Sequence, residues 1–95
     1  MTTEVFESGP VDSPVHPGEI LGEELEARGL SPRELALQMG RPPRSIVEIV
    51  RCRRAISPAT ALDLERVLGV PARLWMNLQA SYSLDLARLR RENTA

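Results

Sequence analysis

The chain of 95 residues has no lysine, one cysteine and three aromatic residues. A single cysteine, Cys52, excludes an internal disulfide and is consistent with a reducing compartment. No apolar run approaches the roughly 18 residues of a membrane-spanning helix, and the acidic N-terminus does not have the basic-then-apolar pattern of a secretory signal. We therefore predict a cytoplasmic protein, with no membrane partner, that consists of one small domain with an aliphatic core.

Charge is divided unevenly along the chain. Residues 1–27 contain seven acids and no lysine or arginine, whereas residues 28–95 contain twelve arginines and six acids. Such segregation suggests two electrostatic tasks. The basic part is suited to phosphate, and the acidic part is suited either to a basic protein or simply to keeping the molecule in solution.

Residues 31–56 have the pattern of a helix-turn-helix. Residues 31–34 (SPRE) form a capping box with proline at the first helical position, which starts the first helix. Ala36 and Gly40 supply small residues for a close helix crossing, and Gly40 also suits the left-handed turn that ends this helix.

The second helix of this pattern has one apolar face, and arginines are concentrated in and around it. Ile46, Ile49 and Val50 recur at i, i+3 and i+4, which predicts that this face is buried. Five arginines and one acid lie within residues 41–54, a density that predicts contact with double-stranded DNA, although any one arginine alone could be a solvated side chain. We predict base-edge contacts from one set of residues and phosphate contacts from another. The base-facing set is Arg44, Ser45 and Glu48, and the phosphate-facing set is Ser31, Arg33, Arg41, Arg51, Arg53 and Arg54.

Three further helices are predicted, and no strand. Each opens with a capping residue or a proline, and two of them close at a glycine. The result is an all-α, five-helix domain over residues 15–95, preceded by a flexible acidic tail over residues 1–14. The predicted helices cover about 17–28, 32–39, 43–51 and 58–68, and the last one opens at Pro71-Ala72.

The last helix carries an apolar stripe that is longer than a small core requires. Its members follow one another at spacings of 3, 4, 4 and 3 residues, so they share one helical face. We predict that the stripe is partly core and partly the interface of a homodimer, which would place two recognition helices ~34 Å apart over an inverted repeat. The stripe consists of Trp75, Leu78, Tyr82, Leu86 and Leu89.

Enzymatic chemistry is not indicated. There is no glycine-rich phosphate loop and no Cys/His metal set, and Asp63 and Glu65 lie two apart on a helix and cannot converge, so we predict neither activity nor cofactor. His16 beside Pro17 is predicted to cap a helix rather than to bind a metal. Cys52 is predicted to be a structural thiol, although flanking arginines would lower its pKa and leave a redox role open.

Several segments occur in a diagnostic order: HPGEIL (16–21), ALQMG (36–40), IVEIV (46–50) with RRAI (53–56), TAL (60–62) and LWMNLQASY (74–82). This succession resembles the HigA-type antitoxins, short members of the Xre (lambda-repressor-like) helix-turn-helix family. The resemblance implies a dimer that binds a palindromic operator in its own promoter and neutralises a HigB toxin, a RelE-like ribonuclease that cuts mRNA on the ribosome. The alternative is a stand-alone Xre-family regulator without a toxin partner.

Two positions depart from the family pattern. Cys52 stands where relatives have glycine, so either it adopts a strained positive φ or the helix before it runs on. Pro43 stands where many relatives carry a polar side chain early in the recognition helix. Proline is tolerated there because those amides lack partners within the helix, but it removes a base contact.

The resemblance also suggests a place for the toxin. Glu19, Glu23 and Glu26 are spaced 4 and 3 apart, so they stack on one face of the first helix. They form a counter-surface for a basic ribonuclease, on a different face from the recognition helix. The alternative is that these acids only favour the helix dipole and solubility.

Overall fold

The computed structural model describes residues 13–94, which contain five α-helices and no strand. The five-helix prediction is confirmed, except that the third helix ends at Val50 and not at Arg51. The predicted tail lies almost entirely outside the described residues. None of the described helices is long and apolar enough to cross a membrane. The helices are α1 (Pro17–Arg28), α2 (Pro32–Met39), α3 (Pro43–Val50), α4 (Pro58–Leu68) and α5 (Ala72–Thr94).

Side-chain caps followed by proline start α1, α2 and α4. The Nδ1 atom of His16 accepts a hydrogen bond of 2.8 Å from the backbone N–H of Gly18. At α2, the Ser31 hydroxyl accepts from the Glu34 N–H at 3.1 Å, and the Glu34 carboxylate accepts from the Ser31 N–H at 2.8 Å. Ser57 caps α4 through its own hydroxyl. The predicted capping role of His16 and the predicted capping box are both confirmed.

All five helices contribute apolar side chains to one core. Trp75 belongs to it, with only 1% of its surface exposed. Its predicted place in a dimer interface is therefore wrong, because it has no surface left for a partner to cover. Leu78 packs against the core from its edge, whereas Leu86 and Leu89 lie outside it and stay half-exposed.

Gly40 fulfils one of its two predicted roles, and Gly18 has a role that was not predicted. A Cβ at Gly40 would meet no atom within 4 Å, so the predicted role of Gly40 in a close helix crossing is wrong. The predicted left-handed turn is confirmed, because Gly40 has a φ of 72°. Gly18 is the real close approach, because a Cβ there would overlap the carbonyl oxygen of Ile49. The first turn of α1 therefore lies directly against the last turn of α3.

His16 gives the fold a dependence on pH. Its ring is buried edge-on to Tyr82, with centroids 4.8 Å apart. This burial lowers the pKa of His16, and the charge of Glu19 offsets part of the effect. Since the folded state favours the neutral ring, the stabilisation is complete above the unfolded pKa of about 6.5 and is lost as the pH falls through the folded pKa.

We expect the thermal midpoint of the wild-type protein to fall between pH 7.5 and pH 5.5, values on either side of the ordinary histidine pKa of about 6.5. His16→Asn, which still offers a capping oxygen but does not titrate there, should show a smaller drop between the same two values. Circular dichroism melts of both proteins measure the difference. An equal drop in the two proteins would contradict the role of His16.

Candidate nucleic-acid interface

The helix-turn-helix consists of α2, a three-residue turn and α3. Helix α3 begins at Pro43 with proline at its N-cap as well, and it buries Ile46 and Ile49 in the core. Its opposite side carries Arg44 and Glu48 to the surface. The core holds the inner face of α3 and the first turn of α1 lies against the Ile49 carbonyl, so the opposite side of α3 is left to face solvent.

Glu48 joins two of the predicted DNA-binding arginines in one ionic cluster. Its Oε2 accepts a hydrogen bond of 2.8 Å from Nε of Arg44, one turn earlier in α3. Its Oε1 accepts from Nε and a terminal amino group of Arg54 at 3.0 and 2.6 Å. These bonds, with that of Arg44 the larger cause, lower the pKa of the Glu48 carboxyl. The sequence predicted DNA contacts for these three residues, but it did not predict that Arg44 and Arg54 both bind the Glu48 carboxylate.

Arg41 forms an ion pair within the protein. Its Nε donates to Oδ2 of Asp63 on α4 at 2.7 Å, and Arg66 lies 3.5 Å from the other carboxylate oxygen. The Arg41 hydrogen bond is the main cause that lowers the pKa of Asp63. The turn of the helix-turn-helix is therefore tied to α4, and a phosphate contact by Arg41 stays a prediction that must compete with this ion pair.

The other residues predicted to contact DNA are three arginines and two serines. Arg33, Arg51 and Arg53 are exposed, and no ion pair is found for them within residues 13–94. The Ser31 hydroxyl accepts a bond in the capping box but can still donate one. The Ser45 hydroxyl makes a local bond instead, since it donates to the carbonyl of Pro42 at 2.8 Å.

Cys52 follows α3 in the left-handed conformation, with φ of 63°. Of the two alternatives, the strained turn is therefore the one observed. Partial burial raises the pKa of the Cys52 thiol, and Glu19 raises it further. The predicted lowering by flanking arginines is wrong, because partial burial of the thiol disfavours the thiolate and the nearby charge of Glu19 adds to that effect.

The predicted acidic face lies on α1. Glu19, Glu23 and Glu26 are exposed on α1. The charge of Glu19 nevertheless acts on the Cys52 thiol, so one end of the acidic face is close enough to influence the basic loop, the segment 51–57 between α3 and α4. The neighbouring Glu24 pairs with Arg28 at 2.7 Å and is not part of this face.

Gln79 was missed in the sequence. Its Oε1 accepts a hydrogen bond of 2.8 Å from the backbone N–H of Ile56, and its amide nitrogen donates to Ser83 at 3.2 Å. The bond connects α5 to the end of the basic loop. The available signal was the position of Gln79 within the family-like segment 74–82, which carries no information about a partner 23 residues away in sequence.

Comparisons with known proteins agree with this architecture. A family model described as helix-turn-helix matches residues 21–75. The chain is 47% identical to virulence-associated protein I of Dichelobacter nodosus over 74 residues, which cover 77% of this chain and 68% of that protein. It is 34% identical to the uncharacterized HTH-type transcriptional regulator YddM of Escherichia coli (strain K12) over 82 residues, 79% of this chain and 87% of that protein.

Solved structures give the same family. The antitoxin HigA of Pseudomonas aeruginosa, solved with the higBA promoter, is similar with a TM-score of 0.82 and 38% identity, over 86% of this chain and 90% of that chain. An addiction-module antidote protein of the HigA family from Coxiella burnetii is similar with a TM-score of 0.77 and 35% identity, over 85% and 88% of the two chains. This chain thus belongs to the Xre-type helix-turn-helix family and has the fold of the HigA-type antitoxins.

Proposed function

We propose that this protein is an antitoxin that represses its own operon and neutralises a RelE-like, mRNA-cleaving HigB-type toxin. The observation that carries the DNA-binding part is the pair Arg51 and Arg53, which are exposed and without an ion pair in the described chain and which follow a helix anchored in the core by Ile46 and Ile49. The P. aeruginosa relative solved with its promoter supports the same conclusion.

The proposed complex has α3 in the major groove of a palindromic operator. Arg44 lies on the groove-facing side, whereas Arg33, Arg51 and Arg53 meet phosphates to either side. Two copies of the chain form a homodimer through the half-exposed part of the α5 stripe, namely Leu78, Tyr82, Leu86 and Leu89, so that two α3 helices reach successive major grooves.

Arg53→Ala tests the phosphate contacts. We expect weaker binding to every duplex and a salt dependence of log K that is flatter by about one unit of slope, because one fewer counterion is released. Fluorescence anisotropy at several salt concentrations, with the promoter fragment upstream of this gene and with a scrambled duplex, measures both effects. Arg88→Ala, the same loss of charge on exposed α5, is the control and should bind as the wild type does.

An unchanged slope in Arg53→Ala would contradict the placement of the basic loop on phosphate. Loss of binding to the promoter fragment alone would instead make Arg53 a base-reading residue.

The toxin part of the proposal is tested by charge removal on α1. We expect the variant with Glu19, Glu23 and Glu26 all changed to Gln to lose both rescue of growth and co-purification when expressed with the small basic protein encoded next to this chain, because a basic ribonuclease would lose its counter-surface. Glu65→Gln, which removes one exposed acid on α4, is a control for charge loss elsewhere and should rescue growth as the wild type does. Undiminished rescue by the triple variant would exclude the acidic face as the toxin site.

The second candidate is a stand-alone transcription regulator, which the similarity to the regulator YddM favours. The adjacent gene distinguishes the two functions. If it encodes a small basic protein whose expression alone stops growth, the antitoxin function holds. If no neighbouring product is toxic, the chain is a regulator only.

A further inference from the structure

We infer that Glu48 is a positioning residue that determines sequence preference by aiming the Arg44 guanidinium, and that it does not itself read a base. This inference rests on the proposed binding of DNA through α3. It goes beyond that proposal because it assigns a different role to each member of the ionic cluster formed by Arg44, Glu48 and Arg54.

The Glu48 carboxylate is largely occupied. Two hydrogen bonds from Arg54 reach Oε1, and one from Arg44 reaches Oε2. An ionised carboxylate offers roughly four acceptor sites, so about one is left for a ligand. The Glu48 side chain is also only 26% exposed, whereas that of Arg44 is 82% exposed. The acid is therefore covered, and the guanidinium beside it is what a ligand meets.

Arg44 is held in a way that leaves its recognition edge open. The hydrogen bond to Glu48 uses Nε, the atom nearest the helix. Its two terminal amino groups can still donate in parallel to two acceptors. That fork matches O6 and N7 of guanine in the major groove, a pairing that one flexible, unsupported arginine would make less selectively.

Arg54 has the complementary task. It approaches Glu48 from the loop after α3 and spends Nε and one terminal amino group on a single oxygen. An exposed i,i+4 pair alone restrains a side chain weakly. The bonds from Arg54 restrain the Glu48 carboxylate from the other side. Glu48 can therefore hold the Arg44 guanidinium in one orientation.

Removing the carboxylate charge should therefore have two effects. The Arg44 side chain would gain rotational freedom, and its guanidinium would no longer be held in the orientation that suits one base. In addition, Arg44 and Arg54 would become unpaired cations that attract any phosphate. Binding to the correct sequence would weaken relative to binding to an arbitrary one, a change that mere damage to the fold would not produce.

The experiment uses the full chain and two duplexes: one enriched by the wild-type protein from a randomised library, and a scrambled duplex of the same composition. For Glu48→Gln we expect the ratio of the two affinities to fall about tenfold, the discrimination of one bidentate arginine–guanine pair. We also expect tighter binding to the scrambled duplex, with a steeper salt dependence. In the Arg44→Ala background, Glu48→Gln should change the ratio no further.

Three outcomes would overturn the inference. An unchanged ratio in Glu48→Gln means that Arg44 needs no aim. A further fall of the ratio in the Arg44→Ala background means that Glu48 reads a base directly. A wild-type chain that enriches no sequence removes the proposed function together with this inference, whereas the first two outcomes leave the function intact. Circular dichroism of each variant, taken alongside, separates altered recognition from unfolding.

Discussion

Gly18→Ala is expected to destabilise the protein by about 3 kcal/mol or more, a large share of the roughly 5 kcal/mol that keep a small domain folded. The added Cβ would overlap the Ile49 carbonyl oxygen. A side chain could rotate away, but a backbone atom in the last turn of α3 cannot move without displacing that helix. Urea unfolding followed by circular dichroism measures the loss.

Gly22→Ala is the matched control, one turn further along α1. The nearest atom to a Cβ there is Cγ1 of Val50 at 3.4 Å, which is an ordinary contact with an adjustable side chain. Alanine is better than glycine inside a helix by about 1 kcal/mol, so this variant should be as stable as the wild type or more stable. Equal destabilisation by the two substitutions would contradict the close approach of α1 to α3.

The double variant Leu86→Glu, Leu89→Glu is expected to be a folded monomer whose affinity for the promoter fragment is lower by about 100-fold or more. Both leucines lie outside the core, so their loss should spare the fold. Two carboxylates in an apolar helix interface would cost several kcal/mol, and a monomer makes only half of the contacts to an inverted repeat. Sedimentation gives the mass, and anisotropy gives the affinity.

Leu84→Glu is the control for this prediction. Leu84 is 51% exposed and lies on the opposite side of α5 from Leu86, since two residues advance a helix by about 200°. This variant should remain a dimer and bind DNA as before. A wild-type chain that sediments as a monomer at micromolar concentration would contradict the proposed dimer, and so would a dimeric double variant.

The helix boundaries could be predicted from the sequence because their signals are local. Ser31 and Ser57 stand directly before the prolines that open α2 and α4, and the predicted ends of these helices agree with the observed ones. Capping and proline geometry involve neighbours within about four residues, so no tertiary structure is needed to recognise them.

The contacts that shape the candidate site could not be predicted in this way. Arg41 and Asp63 are 22 residues apart, and their pairing depends on how α4 crosses the turn. The effect of Glu19 on Cys52 likewise requires α1 to dock on the end of α3. Charge counted along the chain predicts a basic surface, but it cannot identify which arginines the fold has already neutralised.

The hydrogen bond between Gln79 and the Ile56 N–H fixes the sliding register of α5. Apolar contact between helices is non-directional, so by itself it defines the position along the helix axis less strictly. A directional bond defines it more strictly, because a shift by one turn would leave a partly buried amide without an acceptor. The helix proposed to join two protomers is thereby locked at one position relative to the basic loop. The spacing of the two loops in a dimer would then be set by bond geometry and not by the fit of leucines alone.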